Sequence, residues 1–151
     1  NWERREKNWP MVAAIARRLG PAAVHVVGDV PSRLASVSHH DFLADRGAMF
    51  ELLGRARCVV CPSRIDAAPG VLFEAAAMGC NVVASRNCGN WELCPADLLA
   101  APADTASFVE RIRRAMERRS EPNLDRLLRQ GPYAELLRTL DTFARPYPAL
   151  A

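Results

Sequence analysis

The strongest constraint on the fold is a strand, loop, helix and strand pattern near the middle of the chain. Cys58 to Cys61 is a short apolar run rich in β-branched residues, and Pro62 closes it. A polar loop over residues 63–70 leads into a helix predicted from Val71 to Met78, and residues 81–85 form a second strand. A strand, helix and strand within about thirty residues is typical of a parallel βαβ unit. The sequence therefore predicts an α/β fold with a parallel sheet.

The loop of this unit concentrates polar and conformationally special residues. It lies at the carboxyl end of a strand, where open α/β sheets bind ligands. Pro69 and Gly70 suit a helix start whose free N–H groups and dipole favour a phosphate. Glu74, near the first turn, can accept hydrogen bonds from two ribose hydroxyls, and Asp66 could hold hydroxyls of a second sugar. Such a site would suit a nucleotide sugar.

The ordered set of residues resembles a known family. Asp66, seven further residues and Glu74, followed by a small-residue helix and Gly79, resemble the acidic motif of retaining GT-B glycosyltransferases, in particular glycosyltransferase family 4 or group 1. That family usually has Glu where this chain has Asp66. The flanks resemble it too: these are Pro62-Ser63, the strand over residues 81–85, and the turn Cys88-Gly89-x-x-Glu92, in which Cys88 replaces a glycine.

The resemblance implies a Rossmann-like three-layer α/β/α domain, the C-terminal half of a GT-B architecture. It implies transfer of a hexose from UDP or GDP, with retention, to a saccharide, lipid-linked or polysaccharide acceptor. Asp66, Glu74 and Lys7 are the expected catalytic residues. The expected donor-binding residues are Arg4, Arg5, Ser63, Ala68, Pro69, Gly70, Val71, Leu72 and Glu74. Since N–H groups and cations would stabilise the leaving diphosphate, no metal cofactor is expected.

Length and the first residues bear on domain organisation. The 151 residues are enough for one domain. The chain opens on a polar loop instead of a strand, so we expect an N-terminal acceptor domain to be missing and the isolated domain to be inactive. The resemblance also implies that the C-terminal helices, at about 122–145, pack back across the domain onto the N-terminal half.

The remaining elements follow from periodicity and capping. Helices are predicted from Pro10, over residues 45–57 and after a Ser107-x-x-Glu110 capping box, with Met116 buried. Strands are predicted over residues 23–28 and 97–101.

Composition excludes several classes of function. Only 7% of residues are aromatic, which argues against a nucleic-acid module. The five cysteines predict buried thiols in a reducing compartment, since Cys58 and Cys61 would point to opposite faces of a strand. Neighbouring His39 and His40 would also diverge, which argues against a metal site. We expect a bacterial, cytoplasmic protein, with peripheral contact at the inner face of the membrane as an alternative.

Two other functions stay open. One is a nucleotide-sugar epimerase on the same architecture. The other is an inactive scaffold domain, for which the departures at Asp66, Cys88 and Trp2 leave room. Trp2 stands where the family commonly has an arginine.

Overall fold

A computed structural model describes residues 2–20 and 24–118, apart from the side chain of Glu92. Four α-helices and five β-strands lie within these residues, and short 3-10 helices lie at Arg5–Lys7, Trp91–Leu93 and Ala96–Leu98. In chain order the elements are α1 (Trp9–Leu19), β1 (Val24–Val27), β2 (Val37–His40), α2 (Arg46–Arg55), β3 (Cys58–Cys61), α3 (Gly70–Ala77), β4 (Asn81–Ser85), β5 (Leu99–Ala100) and α4 (Thr105–Glu117).

The predicted βαβ unit forms the centre of a three-stranded sheet. Strands β3, β4 and β5 pair in parallel in that order, with Cys58 opposite Asn81 and Ala84 opposite Leu99. Side chains alternate between the two faces, as the period of a strand requires. Val82 and Ala84 belong to one core cluster, and Val83 between them belongs to another. Apolar residues at successive positions are therefore explained by burial on both faces.

Helices cover both faces of this sheet. On one face, Leu53 of α2 and Leu72 of α3 pack against Val82 and Ala84. On the other face, Ile15 of α1 and Phe108 of α4 pack against the layer that contains Val83. The arrangement confirms a mixed α/β domain with parallel strands and flanking helices, consistent with a Rossmann-like fold.

The sheet differs from the prediction in one respect, because the parallel strands form two sheets. Strands β1 and β2 pair with each other, with Val24 opposite Val37, and neither is hydrogen-bonded into the larger sheet. Their core cluster contains Trp9, Val12, Val26 and Val37. Helix α1 contributes to this cluster and to the larger core, so it joins the two sheets by packing.

Several local predictions need correction. Helix α3 begins at Gly70, one residue earlier than expected, and Met116 is exposed where burial was predicted. Helix α4 is capped by Asp104 and not by Ser107, because the Asp104 carboxylate accepts the Ser107 N–H at 2.9 Å and starts the helix at Thr105. The predicted last strand is reduced to Leu99–Ala100 and is preceded by a 3-10 turn.

The C-terminal helices predicted at about 122–145 lie outside the described residues. Among the helices that are described, none is long and apolar enough to cross a membrane.

Candidate active site

The carboxyl ends of β3 and β4 carry two loops that are bound to each other. Residues 62–69 follow β3, and the turn that contains Cys88 and Gly89 follows β4. An isolated parallel bridge joins Asp66 to Cys88, and the Gly89 N–H donates to the Asp66 carbonyl at 2.7 Å. A Cβ at Gly89 would lie 1.7 Å from the Ala67 carbonyl oxygen, so only glycine fits there. This close packing fixes the backbone that carries Asp66.

The N-terminal loop, residues 2–8, lies across the same edge. The Arg64 N–H donates to the Glu6 carbonyl at 2.7 Å. Asn8 is 3% exposed, and its amide donates to the Pro62 carbonyl at 2.9 Å and to the Pro102 carbonyl at 3.0 Å. Its backbone is left-handed, with φ of 62°, which lets the chain turn from the 3-10 helix into α1. The loop is thereby fixed against the end of β3.

These two anchored loops bring together two residues predicted for the site. Lys7 Nζ donates to Asp66 Oδ2 at 2.6 Å, although the residues are 59 positions apart. The side chains are 31% and 16% exposed, so the ion pair is partly shielded from water but open on one side. A lysine and a carboxylate at the carboxyl edge of a parallel sheet form the polar centre of the site.

The two arginines of the N-terminal loop have different surroundings. Arg4 pairs with Glu6 at 2.6 Å on the surface. Donation of a hydrogen bond to the Glu6 carboxylate raises the pKa of Arg4 and stabilises its charged form. Arg5 is exposed and has no ion pair with any residue in the described ranges. Of the two arginines predicted to contact the nucleotide-sugar donor, Arg5 is the one that forms no ion pair with a described side chain.

The start of α3 presents an open surface. Gly70 is exposed, its added Cβ would meet nothing within 4 Å, and no side chain caps the helix. Ala68 is also exposed, whereas Pro69 is buried. The start of α3 is thus accessible to a ligand, and the role of its N–H groups in donor binding stays a prediction.

Three other residues predicted to contact the donor have side chains that face the protein interior. Leu72 is buried, and its N–H donates to the Pro69 carbonyl at 3.1 Å. Ser63 is 2% exposed, and its hydroxyl contacts the Cys61 sulfur at 3.7 Å. Val71 is half-buried against the core on the α2 side of the sheet. The side chains of these three residues therefore pack in the interior behind the loop, where they contribute to its position.

Glu74 lies in the second turn of α3 and is half-buried. Its carboxylate has no hydrogen bond or ion pair with the residues that the structure describes. A helical carboxylate of this kind remains available to a ligand. The side chain of Glu92, the last residue of the turn that resembles the family's, lies outside the description.

Sequence analysis missed a contact between two thiols under the site. Cys61 Sγ and Cys88 Sγ lie 3.7 Å apart, and both side chains are buried. The hydrogen bond from Cys88 lowers the pKa of the Cys61 thiol, and the same bond raises the pKa of Cys88. Cys58 points to the other face of the sheet, as predicted, and burial raises its pKa to about 12.

Two further residues of the N-terminal loop have structural roles that the sequence analysis did not assign. Trp2 donates its indole N–H to the Val27 carbonyl at 2.8 Å and packs against Trp9. Asn8 holds the loop to β3. An asparagine directly before a helix is a signal for a turn at Asn8, but its bonding partners are distant in sequence.

The predicted histidine geometry is confirmed, because the neighbouring rings point apart. His40 stacks on His25, with ring nitrogens 2.8 Å apart, while His39 contacts the backbone of Leu34. No group of three or more potential metal ligands occurs within residues 2–20 and 24–118.

Fold and site together define a Rossmann-like α/β domain whose polar centre lies at the carboxyl ends of its parallel strands. Comparison with protein families then gives a specific assignment. Residues 6–118 match the family described as "Glycosyl transferases group 1", and the chain belongs to this family. The resemblance stated from the motif is thus confirmed at the level of the family, and glycosyl transfer is the activity that the family supports. A search of curated proteins found no significant match.

Proposed function

We propose that this domain binds a nucleoside diphosphate sugar, with UDP or GDP as the nucleotide, for retaining transfer of a hexose to a saccharide, lipid or polysaccharide acceptor. The observation that carries the proposal is the convergence of Lys7 and Asp66 at 2.6 Å beside the uncapped start of α3. Residues of both signs at one strand edge match a ligand that has a charged diphosphate and a neutral sugar.

Each part of the donor has a counterpart in the site. Lys7, Arg5 and the N–H groups of Gly70 and Val71 would face the diphosphate. Glu74 would accept hydrogen bonds from the ribose hydroxyls. Asp66 and the backbone from Ala67 to Pro69 would face the sugar.

Stabilisation of the leaving diphosphate is the main chemical requirement of such a transfer. Negative charge develops on the departing phosphate oxygen as the bond to the sugar breaks. Positive groups that are already oriented towards that oxygen lower the barrier most, since they need no reorganisation. The N–H groups at the start of α3 meet this condition, and the Asn8 anchor fixes the backbone that carries Lys7 at the same edge. We expect donor binding without a divalent metal.

Titration of the 151-residue chain with UDP, GDP and ADP tests the donor assignment. We expect saturable binding of one nucleotide that EDTA does not change. The Glu74→Ala variant should bind about tenfold more weakly, the loss expected for a hydrogen-bonded carboxylate. Glu51→Ala, which removes an exposed carboxylate from α2, is the matched control and should bind as the unaltered chain does.

The alternatives give different results. Unchanged affinity in a folded Glu74→Ala variant would contradict the assignment and favour a scaffold domain. Release of a free sugar with inverted configuration at C2 would favour an epimerase. Retention is tested by NMR of the product anomer, using the chain together with an acceptor domain.

A further inference from the structure

The Lys7–Asp66 ion pair joins two segments that are each fixed independently. On one side, the amide of Asn8 and the Glu6 carbonyl hold the N-terminal loop to the end of β3. On the other side, the Asp66 N–H donates to the Asn87 carbonyl at 3.3 Å, and the Asp66 carbonyl accepts from Gly89. Because both backbones are held, only the side chains of Lys7 and Asp66 are free to change partners.

The pair presents a conflict for the proposed donor. The diphosphate requires the ammonium of Lys7, but Asp66 already neutralises that charge at 2.6 Å. A sugar hydroxyl requires a free oxygen on Asp66, but Lys7 occupies Oδ2. Asp66 also places a negative charge beside the position where the phosphates would lie, and like charges at close range repel.

We propose that the Lys7–Asp66 ion pair is a latch that the donor opens, with the diphosphate taking Lys7 and thereby freeing the Asp66 carboxylate for the sugar. The inference rests on the proposed function and adds to it an exchange of partners that couples Lys7 to Asp66. No covalent bond changes in this step; one charge-assisted hydrogen bond is exchanged for two others.

The geometry permits this exchange. Lysine carries its charge on a flexible four-carbon stem, so its ammonium can move without movement of the backbone. The lysine side chain is 31% exposed, which leaves a route towards the ligand. The uncapped start of α3 supplies a second positive field for the phosphates.

The latch couples the two halves of the donor. A sugar without its diphosphate meets an Asp66 that is still occupied by Lys7, so it should bind poorly. A nucleoside diphosphate without sugar opens the latch but leaves Asp66 without a partner. Only the intact donor satisfies both groups. One ion pair can therefore make the site select the intact donor over the free sugar and the free nucleoside diphosphate.

The Asp66→Asn variant separates the latch from a simple sugar contact. If Asp66 only contacts the sugar, its loss leaves the affinity for a nucleoside diphosphate unchanged. If the latch exists, the variant should bind the diphosphate about threefold to tenfold more tightly, since no ion pair has to be broken and one repulsive charge is gone. Asp97→Asn is the matched control, because it also removes one negative charge and the ion pairs that it makes, but on the α4 side.

Calorimetric titration with UDP and GDP of the unaltered chain, Asp66→Asn, Lys7→Ala and the double variant completes the test. We expect Lys7→Ala to weaken binding about tenfold and to reduce the effect of Asp66→Asn to the part that comes from the removed negative charge, which is the coupling expected of a direct pair. Thermal melting of each variant verifies that it is folded.

Lys7 is the only lysine in the chain, so an amine-reactive label followed by mass spectrometry reports on it alone among side chains. The label should react with Lys7 slowly in the unaltered chain and faster in Asp66→Asn. Added diphosphate should protect Lys7 in both proteins. This readout does not depend on a change in affinity.

The outcomes separate the latch from the proposed function. Weaker or unchanged diphosphate binding in Asp66→Asn, with weakened binding in Lys7→Ala and Glu74→Ala, would overturn the latch and leave the donor site intact. Absence of saturable binding, or affinity that none of the three substitutions changes, would overturn the proposed function and the latch with it.

Discussion

The two sheets of this domain are stabilised in different ways. The three-stranded sheet is covered by helices on both faces, and its residues alternate between two apolar clusters. The two-stranded sheet has one apolar cluster, and His25 on its other face is exposed. Polar contacts also tie it to the N-terminal loop, since Trp2 bonds the carbonyls of Val27 and Asp29.

This difference matters because the proposed site draws on both parts. Asp66 and Glu74 belong to the larger sheet and its helix, whereas Lys7 belongs to a loop that bonds to the ends of β1 and β3. The carboxylates therefore have a rigid support, and the position of Lys7 depends on polar anchors. Each experiment below tests either the larger sheet or the part formed by the smaller sheet and the N-terminal loop.

Truncation in the larger core should have the greatest effect. Phe108 is fully buried between α4 and the sheet. Phe108→Ala should lower the free energy of unfolding by about 3–5 kcal/mol through lost burial and the remaining cavity. Phe42→Ala is the control, because Phe42 is 76% exposed and its loss should change stability by less than about 0.5 kcal/mol. Similar losses for both variants, measured in urea, would contradict the assigned core.

Loss of the Asn8 anchor should have the next largest effect. Asn8→Ala removes two hydrogen bonds and places alanine, which tolerates the left-handed conformation less well than asparagine, at a φ of 62°, for about 2–3 kcal/mol. Asn8→Gly keeps the turn accessible and should cost about 1 kcal/mol less. The exposed amide of Asn87, which bonds the Arg64 carbonyl at 3.0 Å, provides the control Asn87→Ala. Equal cost for Ala and Gly at position 8 would show that the backbone conformation is unimportant.

The two sheets carry different chemical reporters, so their stability can be compared directly. All three histidines lie on the β1 and β2 side, and all five cysteines lie between β3 and the turn before β5. We expect the histidine NMR signals to change at a lower urea concentration than the one at which the thiols become reactive. The free energy of unfolding should be about 1–2 kcal/mol lower for the smaller sheet, because that sheet has less apolar support. Val26→Ala should widen this gap by weakening only the smaller cluster. Coincident midpoints would mean that both sheets unfold as one unit.

The smallest expected effect concerns a surface ion pair on the α4 side. The hydrogen bond from Arg118 holds the pKa of Asp97 below its usual value. A carboxyl whose pKa is lowered by folding stabilises the protein above the pKa of its unfolded form, and this contribution is lost as pH falls below about 4. Asp97→Asn should therefore melt slightly lower than the unaltered chain at neutral pH and equally at low pH.

Asp41 serves as the control for that measurement. It lies 4.0 Å from Arg33 on the smaller-sheet side and is fully exposed. Asp41→Asn should leave the melting temperature unchanged throughout, since such exposed pairs contribute little. A shift as large as that of Asp97→Asn would show that the two surfaces do not differ.

Local patterns predicted much of the fold. Strands β3 and β4 were predicted with the bounds that the structure has. A short run of β-branched residues between turn residues favours a strand that is buried on both faces. Helix α3 ends shortly before Gly79, whose left-handed φ of 77° is typical of a glycine that follows a helix. Predictions were wrong where two local signals compete, as at Asp104 and Ser107, because either residue type can cap a helix and the local sequence does not select between them.

The sequence by itself determined that this chain builds a parallel α/β unit with an acidic pair, Asp66 and Glu74, at a helix start, and that pattern was enough to indicate the family later matched over residues 6–118. The tertiary structure decided which distant groups meet. The contacts of Lys7 with Asp66, Asn8 with Pro62 and Cys61 with Cys88 join residues 27 to 59 positions apart. No local pattern encodes such distances, because they depend on how the sheets and α1 pack, and that packing is the sum of many weak contacts along the whole chain.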